Sequence, residues 1–485
     1  MAAKRIAVMG AGIAGLCIAL ELQDSGYEVV LIERDAPPPD IAPQDAFEQW
    51  TRPGVPQFRH AHIFLARMCS ALRDKHPSLV QELLDAGFEY STLEELLPQG
   101  VASQVTAQPG DEDLVHLWGR RPTFEYVLRC HVERLPHVRF MHHTQVTGLL
   151  TEGTGKQLRA TGLSLLREDQ HETLQADIVV DASGKHSKSP EWLRELGLDV
   201  SHMSDDSDFL YTCRHYRLKD PAASPKRLDG GGNLDYLGYS LFYEEGGYYA
   251  LTFGCPVYEK ELSSTIVHAK SFEVLAQQFP VIKRWVDASD AKTKVLGAGD
   301  FKNGWTQFGK PGSELLNFFP VGDCHVQTNP MYGRGCSFAY LQAQTLAETL
   351  KLQDARQRAR VYEQQCRRIL TPYVKMSTDT DRMYHMRAKL SRGEQVPLGQ
   401  RIFNYLYEAA WLPAIHSDMV VAREFVKAVQ MREISPLGVR VQMVFRILRA
   451  LMRTWLGHRV PQAKSPPPRD AFLKQLASAT PRTES

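Results

Sequence analysis

Short apolar runs with strand character alternate with stretches of helical spacing over the first two hundred residues. Lys4-Arg5-Ile6-Ala7-Val8-Met9 predicts a strand, residues 16–22 a helix that stops at Gly26, and Tyr27-Glu28-Val29-Val30-Leu31-Ile32 a second, parallel strand ending at Glu33. Ile63, Leu65, Ala66, Met68 and Leu72 fall on one face of a further helix, and Pro122 suits the first turn of one over residues 125–134. Residues 138–143 and 144–150 read as strands that rejoin the first sheet, and residues 176–184 as a buried strand closed by a turn.

From about residue 208 to 301 the period shortens to two. The set Leu237, Tyr239, Leu241 and Tyr243 predicts antiparallel strands, a sheet that would cover a substrate cavity, although an aromatic stripe is more often core than ligand contact and no single residue here is given a role. Beyond Gln353 the pattern is helical and basic, punctuated by Pro372, Pro397, Pro413 and Pro436. Val441, Val444, Phe445, Leu448, Leu451, Met452 and Trp455 recur at helical spacing, with Arg446, Arg449 and Arg453 on the other sides. Docking of that stripe on the body of the protein is the preferred account, and peripheral contact with a membrane surface through residues 440–456 the alternative. The chain from Pro461 onward reads as a mobile tail.

Between the first two strands lies Gly10-Ala11-Gly12-Ile13-Ala14-Gly15. Gly10 permits a tight turn, Gly12 a close approach of backbone to a pyrophosphate, and Gly15 close packing of helix on strand. The free N–H groups and dipole of the helix mouth favour phosphate, and Glu33 can accept hydrogen bonds from a ribose. This unit leaves NAD and FAD both open.

Composition narrows the class. A chain of 485 residues with 43% hydrophobic content can bury a large core in two or three domains, and a net charge of +1 gives no reason to expect nucleic acid. No apolar stretch approaches the roughly 18 residues that span a bilayer, and the first residues lack a cleavable signal pattern. The eight cysteines show no metal spacing and look like reduced, mostly buried side chains. A cytoplasmic protein, soluble or peripheral to the membrane, is expected.

A second glycine-lined helix mouth separates NAD from FAD. Phe318-Phe319-Pro320-Val321-Gly322-Asp323 predicts a strand ending in an acid, and Asn329-Pro330-Met331-Tyr332-Gly333-Arg334-Gly335 a loop opening a helix over residues 337–352. Asp323 can accept hydrogen bonds from ribityl hydroxyls, while N–H groups near Gly333 and Gly335 can stabilise negative charge on a reduced flavin. A nicotinamide dehydrogenase has no need of this site, so FAD is the expected cofactor. Two basic segments sit at other helix entrances. Arg121 can pair with phosphate, and Arg59, His60 and His62 are the candidates for contact near a flavin ring, against the plainer account of histidines bonded to backbone.

Taken together, the Gly10–Gly15 turn with Glu33, Arg121, Asp181-Ala182-Ser183-Gly184, and Gly322-Asp323 with Asn329–Gly335 resemble the FAD-dependent monooxygenases of the para-hydroxybenzoate hydroxylase type. Residues 54–62, the turn leading to Pro190-Glu191-Trp192-Leu193, and Val421-Ala422-Arg423-Glu424-Phe425 resemble the squalene epoxidase and polyether epoxidase branch. The resemblance implies an α/β fold: a Rossmann-like FAD-binding domain (1–200 and 302–370), an antiparallel-sheet substrate domain (201–301), a helical C-terminal region (371–460) and a flexible tail (461–485). It further implies that Gly10, Gly12, Ala14 and Gly15 carry the pyrophosphate and Glu33 the adenosine ribose. Arg34 would flank the adenine, with the Val146 backbone also on the adenine. Arg121 would reach the pyrophosphate or ribityl, Asp323 the ribityl chain, and Gly333 and Gly335 the isoalloxazine.

The activity so implied is insertion of one oxygen atom from O2 into an apolar or aromatic small molecule through a flavin C4a-hydroperoxide, by epoxidation or hydroxylation, in secondary metabolism. NAD(P)H or reduced flavin, from a separate flavin reductase, would supply electrons, since no second nucleotide fingerprint occurs. Two other flavin chemistries compete. A reductase of the geranylgeranyl-reductase type would turn over without oxygen. A flavin-dependent halogenase would carry a Trp-x-Trp-x-Ile-Pro motif that this chain lacks, and Lys75 reads as a solvated helix lysine rather than a halogenating one.

Overall fold

The strand Arg5–Met9 is an apolar run buried from its second residue onward, as a central parallel strand covered on both faces must be. It lies at the middle of a five-stranded sheet in the order Phe318–Pro320, Ile178–Asp181, Arg5–Met9, Glu28–Ile32, Val138–Met141, every pair parallel. The computed structural model describes residues 3–225, 227, 231–309, 315–432, 437–457 and 468–479. Strand Phe318–Pro320 enters this sheet from three hundred residues downstream, which carries the second glycine-lined loop to the same sheet as the first. Helix Ile13–Glu21 then packs Leu16, Cys17 and Leu20 into the core that also takes Phe338, Leu341 and Ala343 of helix Gly335–Thr349.

Residues 144–150 do not rejoin this sheet. His143 adopts a positive φ of 52°, the chain turns, and Thr144–Glu152 starts a separate antiparallel sheet with Arg159–Arg167 and Gln170–Gln175. Leu163, Leu165 and Leu174 of that sheet cover Ala7, Val30 and Val179 of the parallel one.

The period-two region forms the expected antiparallel sheet, built on Phe209–Leu218, Gly238–Tyr243 and Tyr248–Pro256. Its aromatic stripe is core. Tyr239 packs on Phe279 at 4.4 Å between ring centroids and Tyr243 on Trp285 at 5.1 Å, against helices Ala269–Ala276 and Pro280–Asp287. The opposite face, with Tyr211, Cys213 and His215, meets the segment around Arg59 and His60 instead.

Three expectations for the C-terminal third need correction. Pro372 does not punctuate: it lies inside the helix Ala355–Ser391, whose buried Cys366, Leu370 and Val374 hold the flanking turns in place despite the lost N–H. Part of the expected tail is ordered, since Arg469–Ala479 is a helix that buries Phe472 and Leu476 against Tyr236 and Phe279. Residues 461–467 and 480–485, like Pro436, lie outside the described residues. Helix Leu437–Trp455 docks through Ala450 and Leu451, while the rest of its predicted apolar stripe is exposed. Among the described residues no helix is long and apolar enough to cross a membrane. All eight cysteines are free and seven are buried.

Candidate cofactor and substrate site

Glycines shape both helix mouths. Gly10 has φ +99°, and a Cβ there would stand 2.8 Å from the Ala182 carbonyl oxygen; a Cβ on Gly15 would stand 2.0 Å from that of Gly10. Gly12 differs, because a Cβ on it would meet nothing within 4 Å. Helix Ile13–Glu21 has no side-chain cap, nor does helix Gly335–Thr349, where Gly335 also opens on free space. Their leading N–H groups are therefore left to a ligand or solvent.

The two mouths converge. A Cβ on Gly322, at the end of the strand that leads to the second mouth, would lie 3.1 Å from Cβ of Ala14, and Cys17, one turn into the first helix, is close enough to Cys336, at the start of the second, to interact electrostatically. Beside this junction the Asp323 carboxylate, partly buried, receives no hydrogen bond from a described residue. Burial pushes its pKa up, against the pull of Arg121 and Lys185. An acceptor held in that state is suited to hydroxyl donors from a ligand.

Arg121 is buried at the start of helix Arg121–Glu133 and donates to Glu125 Oε2 at 3.3 Å and to His62 Nε2 at 3.0 Å. Because His62 Nδ1 faces the His60 carbonyl at 2.8 Å, His62 must be the neutral tautomer with its proton on Nδ1. Burial and then the Arg121 charge keep it neutral, well below the usual imidazole range. Adjacent Arg120 serves a different end: its backbone N–H and its Nε hold the Glu245 carboxylate at 2.8 and 2.7 Å and tie the antiparallel sheet to this helix.

Glu33 stands at the end of its strand as expected, but it is already engaged. It accepts from the N–H groups of Ala11 at 3.1 Å and Asp35 at 3.0 Å, and it pairs with the buried Arg52. Arg52 also pairs with Glu125 and Asp35 and donates to the Ala11 carbonyl at 3.1 Å. One of the roughly four acceptor directions of Glu33 is left for a ribose. Burial works against the charge of Glu33, and Arg52 outweighs it, holding the carboxyl below its ordinary range.

Arg34 is exposed, with its guanidinium over Gly54. Val146 lies two residues past Thr144, whose N–H bonds the Glu33 carbonyl at 3.0 Å, so its backbone stands near the end of the second strand. Gly333 has φ +64° and abuts Ile63, which puts the 329–335 loop against the histidine segment. The Arg59 guanidinium turns away, to the Trp50 carbonyl at 3.2 Å and that of Glu48 at 3.4 Å, with Phe47 beneath it.

His60 reaches the antiparallel sheet: its Nδ1 lies 3.6 Å from Cys213 Sγ, and its ring packs near Tyr211. Next along the same face, the buried His215 has an acceptor at each nitrogen, Glu244 Oε2 at 3.0 Å and the Arg59 carbonyl at 2.8 Å, and so carries both protons. Burial opposes that charge, and Glu244 overcomes it, raising the His215 pKa to about 10. Met331 presses on Gly254, where a Cβ would stand 3.3 Å from its Cε. The His60–His62 segment, the Tyr211–His215 face and the Met331 loop thus bound one region beside Asp323.

Sequence reasoning did not assign roles to Arg52, Glu125, Cys213, His215, Glu244 or Asp381. Asp381, on the long C-terminal helix, accepts from Asn303 at 2.6 Å, Asn329 at 2.9 Å and Tyr332 at 2.5 Å and fixes the 329–332 loop from fifty residues away. Only Arg52 carried a usable signal, a basic residue in a turn-rich segment shortly after the Glu33 strand.

A family model described as FAD dependent oxidoreductase matches residues 5–92, which include the first glycine turn and Glu33. The chain is 26% identical to protein Rv3254 of Mycobacterium tuberculosis over 470 residues, 93% of this chain and 94% of that protein. Its fold is similar to that of the flavin-dependent brominase Bmp2, with a TM-score of 0.60 and 14% identity over 94% of this chain and all of that one. It is also similar to OxyS, an anhydrotetracycline hydroxylase from Streptomyces rimosus, with a TM-score of 0.53 and 15% identity over 88% of this chain and 75% of that one. The architecture is therefore one that a flavin-dependent brominase and a hydroxylase share.

Proposed function

We propose that this chain is an FAD-dependent oxidoreductase acting on a small organic molecule, and that its reaction is oxygen transfer from O2. The observation that carries this reading is the meeting of the first uncapped helix mouth, at Ala14, with the Gly322-Asp323 strand end, where Cys336 at the second uncapped mouth lies near Cys17 and the Asp323 carboxylate takes no hydrogen bond from a described residue. The chain's residues fit FAD: Gly12 and the first mouth for pyrophosphate, Glu33 for ribose, Asp323 for ribityl hydroxyls, Gly333 and Gly335 for the ring. Bound there, the cofactor would supply two-electron reduction of O2.

The protein's part is then to bind, orient and exclude water. Arg121 stands between Asp323 and neutral His62 and contributes fixed positive charge at the cofactor. His60 and His62, with Tyr211, Cys213 and Met331, shape the space for an apolar substrate. NAD(P)H or reduced flavin from a partner reductase is the electron source. Epoxidation rests on the resemblance of residues 54–62, 190–193 and 421–425 alone.

Halogenation is the second reading, and the fold likeness to Bmp2 favours it. Against it, Lys75 is a surface residue paired with Glu21 at 3.0 Å, and no lysine is buried among the described residues. The test loads the protein with FAD, reduces it, and admits O2 with bromide and monochlorodimedone. Absence of bromination, with 18O incorporated into a retained substrate from labelled O2, is expected; bromination transfers the protein to the second reading. Turnover sustained without O2 by reduced flavin would remove both in favour of a reductase.

A further inference from the structure

Twelve of the eighteen large hydrophobic side chains that are exposed among the described residues lie on two neighbouring segments near the C-terminus. Helix Leu398–Leu406 presents Leu398, Ile402, Phe403, Tyr405 and Leu406. Helix Leu437–Trp455 presents Val441, Val444, Phe445, Leu448, Met452 and Trp455, at intervals of three, four and seven residues that place them on one stripe, and Leu456 follows. Phe445 is 67% exposed and Leu398 70%, whereas a soluble helix normally turns such residues inward.

The two faces form one surface. Trp455 Nε1 donates to Tyr405 OH at 2.6 Å, and beneath them Leu451 packs on Ala409 and Ala410. The helices are therefore docked already through small buried residues, and the large apolar ones point away. A patch of this extent marks an interaction surface.

Charge selects the occupant. Neither helix contains an acid, while Arg401, Arg440, Arg449 and Arg453 are exposed around the apolar stripe. Arg446, the remaining cation, is committed to Asp418 at 2.7 Å. Self-association about a two-fold axis would set these arginines against their own copies, while the neighbouring carboxylate, Glu408, is already paired with Arg387 at 3.1 Å. An anionic phospholipid surface supplies what is missing: acyl chains for the stripe, phosphates and carboxylates for the guanidinium groups, and an interfacial layer for Trp455 and Tyr405. We propose that this face docks the protein on an anionic lipid bilayer, with both helices lying in the plane of the interface.

The surface is tied to the candidate site. Arg387, six residues along the same helix from the loop-fixing Asp381, donates to Asn404 at 3.1 Å on the exposed side and to Asp235 at 2.7 Å on the antiparallel sheet. A protein seated this way would meet apolar molecules dissolved in the membrane.

The test is co-sedimentation of the full chain, loaded with FAD, with vesicles of phosphatidylcholine alone and of phosphatidylcholine mixed with phosphatidylserine. Binding to the mixed vesicles, weakened by salt, is expected. The double variant Phe445→Ser, Leu448→Ser should lose about tenfold or more in vesicle partition with its melting temperature and bound FAD unchanged. Arg449→Glu with Arg453→Glu should remove the preference for anionic vesicles. Failure to bind either vesicle, or a double variant that partitions like the parent, would overturn the proposal. A lipid-free dimer that the same double variant dissociates would also overturn it and give the face to a second copy of the chain.

Discussion

Cys213 Sγ lies 3.6 Å from His60 Nδ1, across the seam between the antiparallel sheet and the segment that leads to helix Ala66–Lys75. Burial disfavours the thiolate, yet hydrogen bonding and charge from His215 and His60 outweigh it and hold the thiol below its ordinary value. Burial drives Cys17, Cys69, Cys324 and Cys366 the other way. A titration of ultraviolet thiolate absorbance, parent minus Cys213→Ser, should show one thiolate forming below the usual thiol range. In His60→Ala that step should move to higher pH; an unchanged step would remove His60 from the contact.

His215 gives the fold a pH dependence of known sign. Its pKa is about 10 when folded against about 6.5 for a free imidazole, so the stability it contributes is fully present below about pH 6.5 and is lost as pH rises towards 10. Melting temperature should decline over that window. His215→Gln should lower it at neutral pH and flatten the alkaline decline, because Glu244 is then buried without its cation.

The parallel sheet and both glycine mouths could be read from the sequence because each follows from contiguous residues: an apolar run, a glycine spacing, an acid at a strand end. The ionic core was not legible. Arg52 meets Glu33, Asp35 and Glu125 only after the chain folds, and nothing in the local pattern of any one of them names the other three. The terminal helix misled for a related reason. Periodicity shows that a face is apolar, and it does not show whether that face meets a helix, a cavity or the outside.

Arg52→Ala should therefore be severe. It strands the buried carboxylates of Glu33 and Glu125, a loss on the order of 3–5 kcal/mol for a broken buried pair. Arg52→Lys should not restore stability, since one ammonium cannot serve carboxylates on three sides. A melting curve for Arg52→Lys equal to the parent's would show that charge alone suffices.

Asp323→Ala should purify with much less flavin than the parent at a similar melting temperature of the apoprotein, because its carboxylate takes no hydrogen bond from a described residue. Flavin retained at the parent level, measured by absorbance after denaturation, would remove Asp323 from the cofactor site.

Gly12 and Gly15 separate folding from cofactor binding within one turn. A methyl group on Gly15 would collide with the Gly10 carbonyl oxygen at 2.0 Å, a backbone atom that cannot turn aside as a side chain can, with the Leu31 side chain at 3.4 Å beside it. A methyl group on Gly12 would meet no protein atom within 4 Å, and Gly12 has φ −80° and ψ −173°, a conformation open to alanine. Gly15→Ala should accordingly lower the melting temperature of the apoprotein. Gly12→Ala should leave it unchanged and yet lose FAD, since the space its methyl enters is the one through which backbone would approach a pyrophosphate. Equilibrium dialysis against FAD, with apoprotein melting measured alongside, distinguishes the two. If Gly12→Ala binds FAD as tightly as the parent, the phosphate does not lie at this helix mouth.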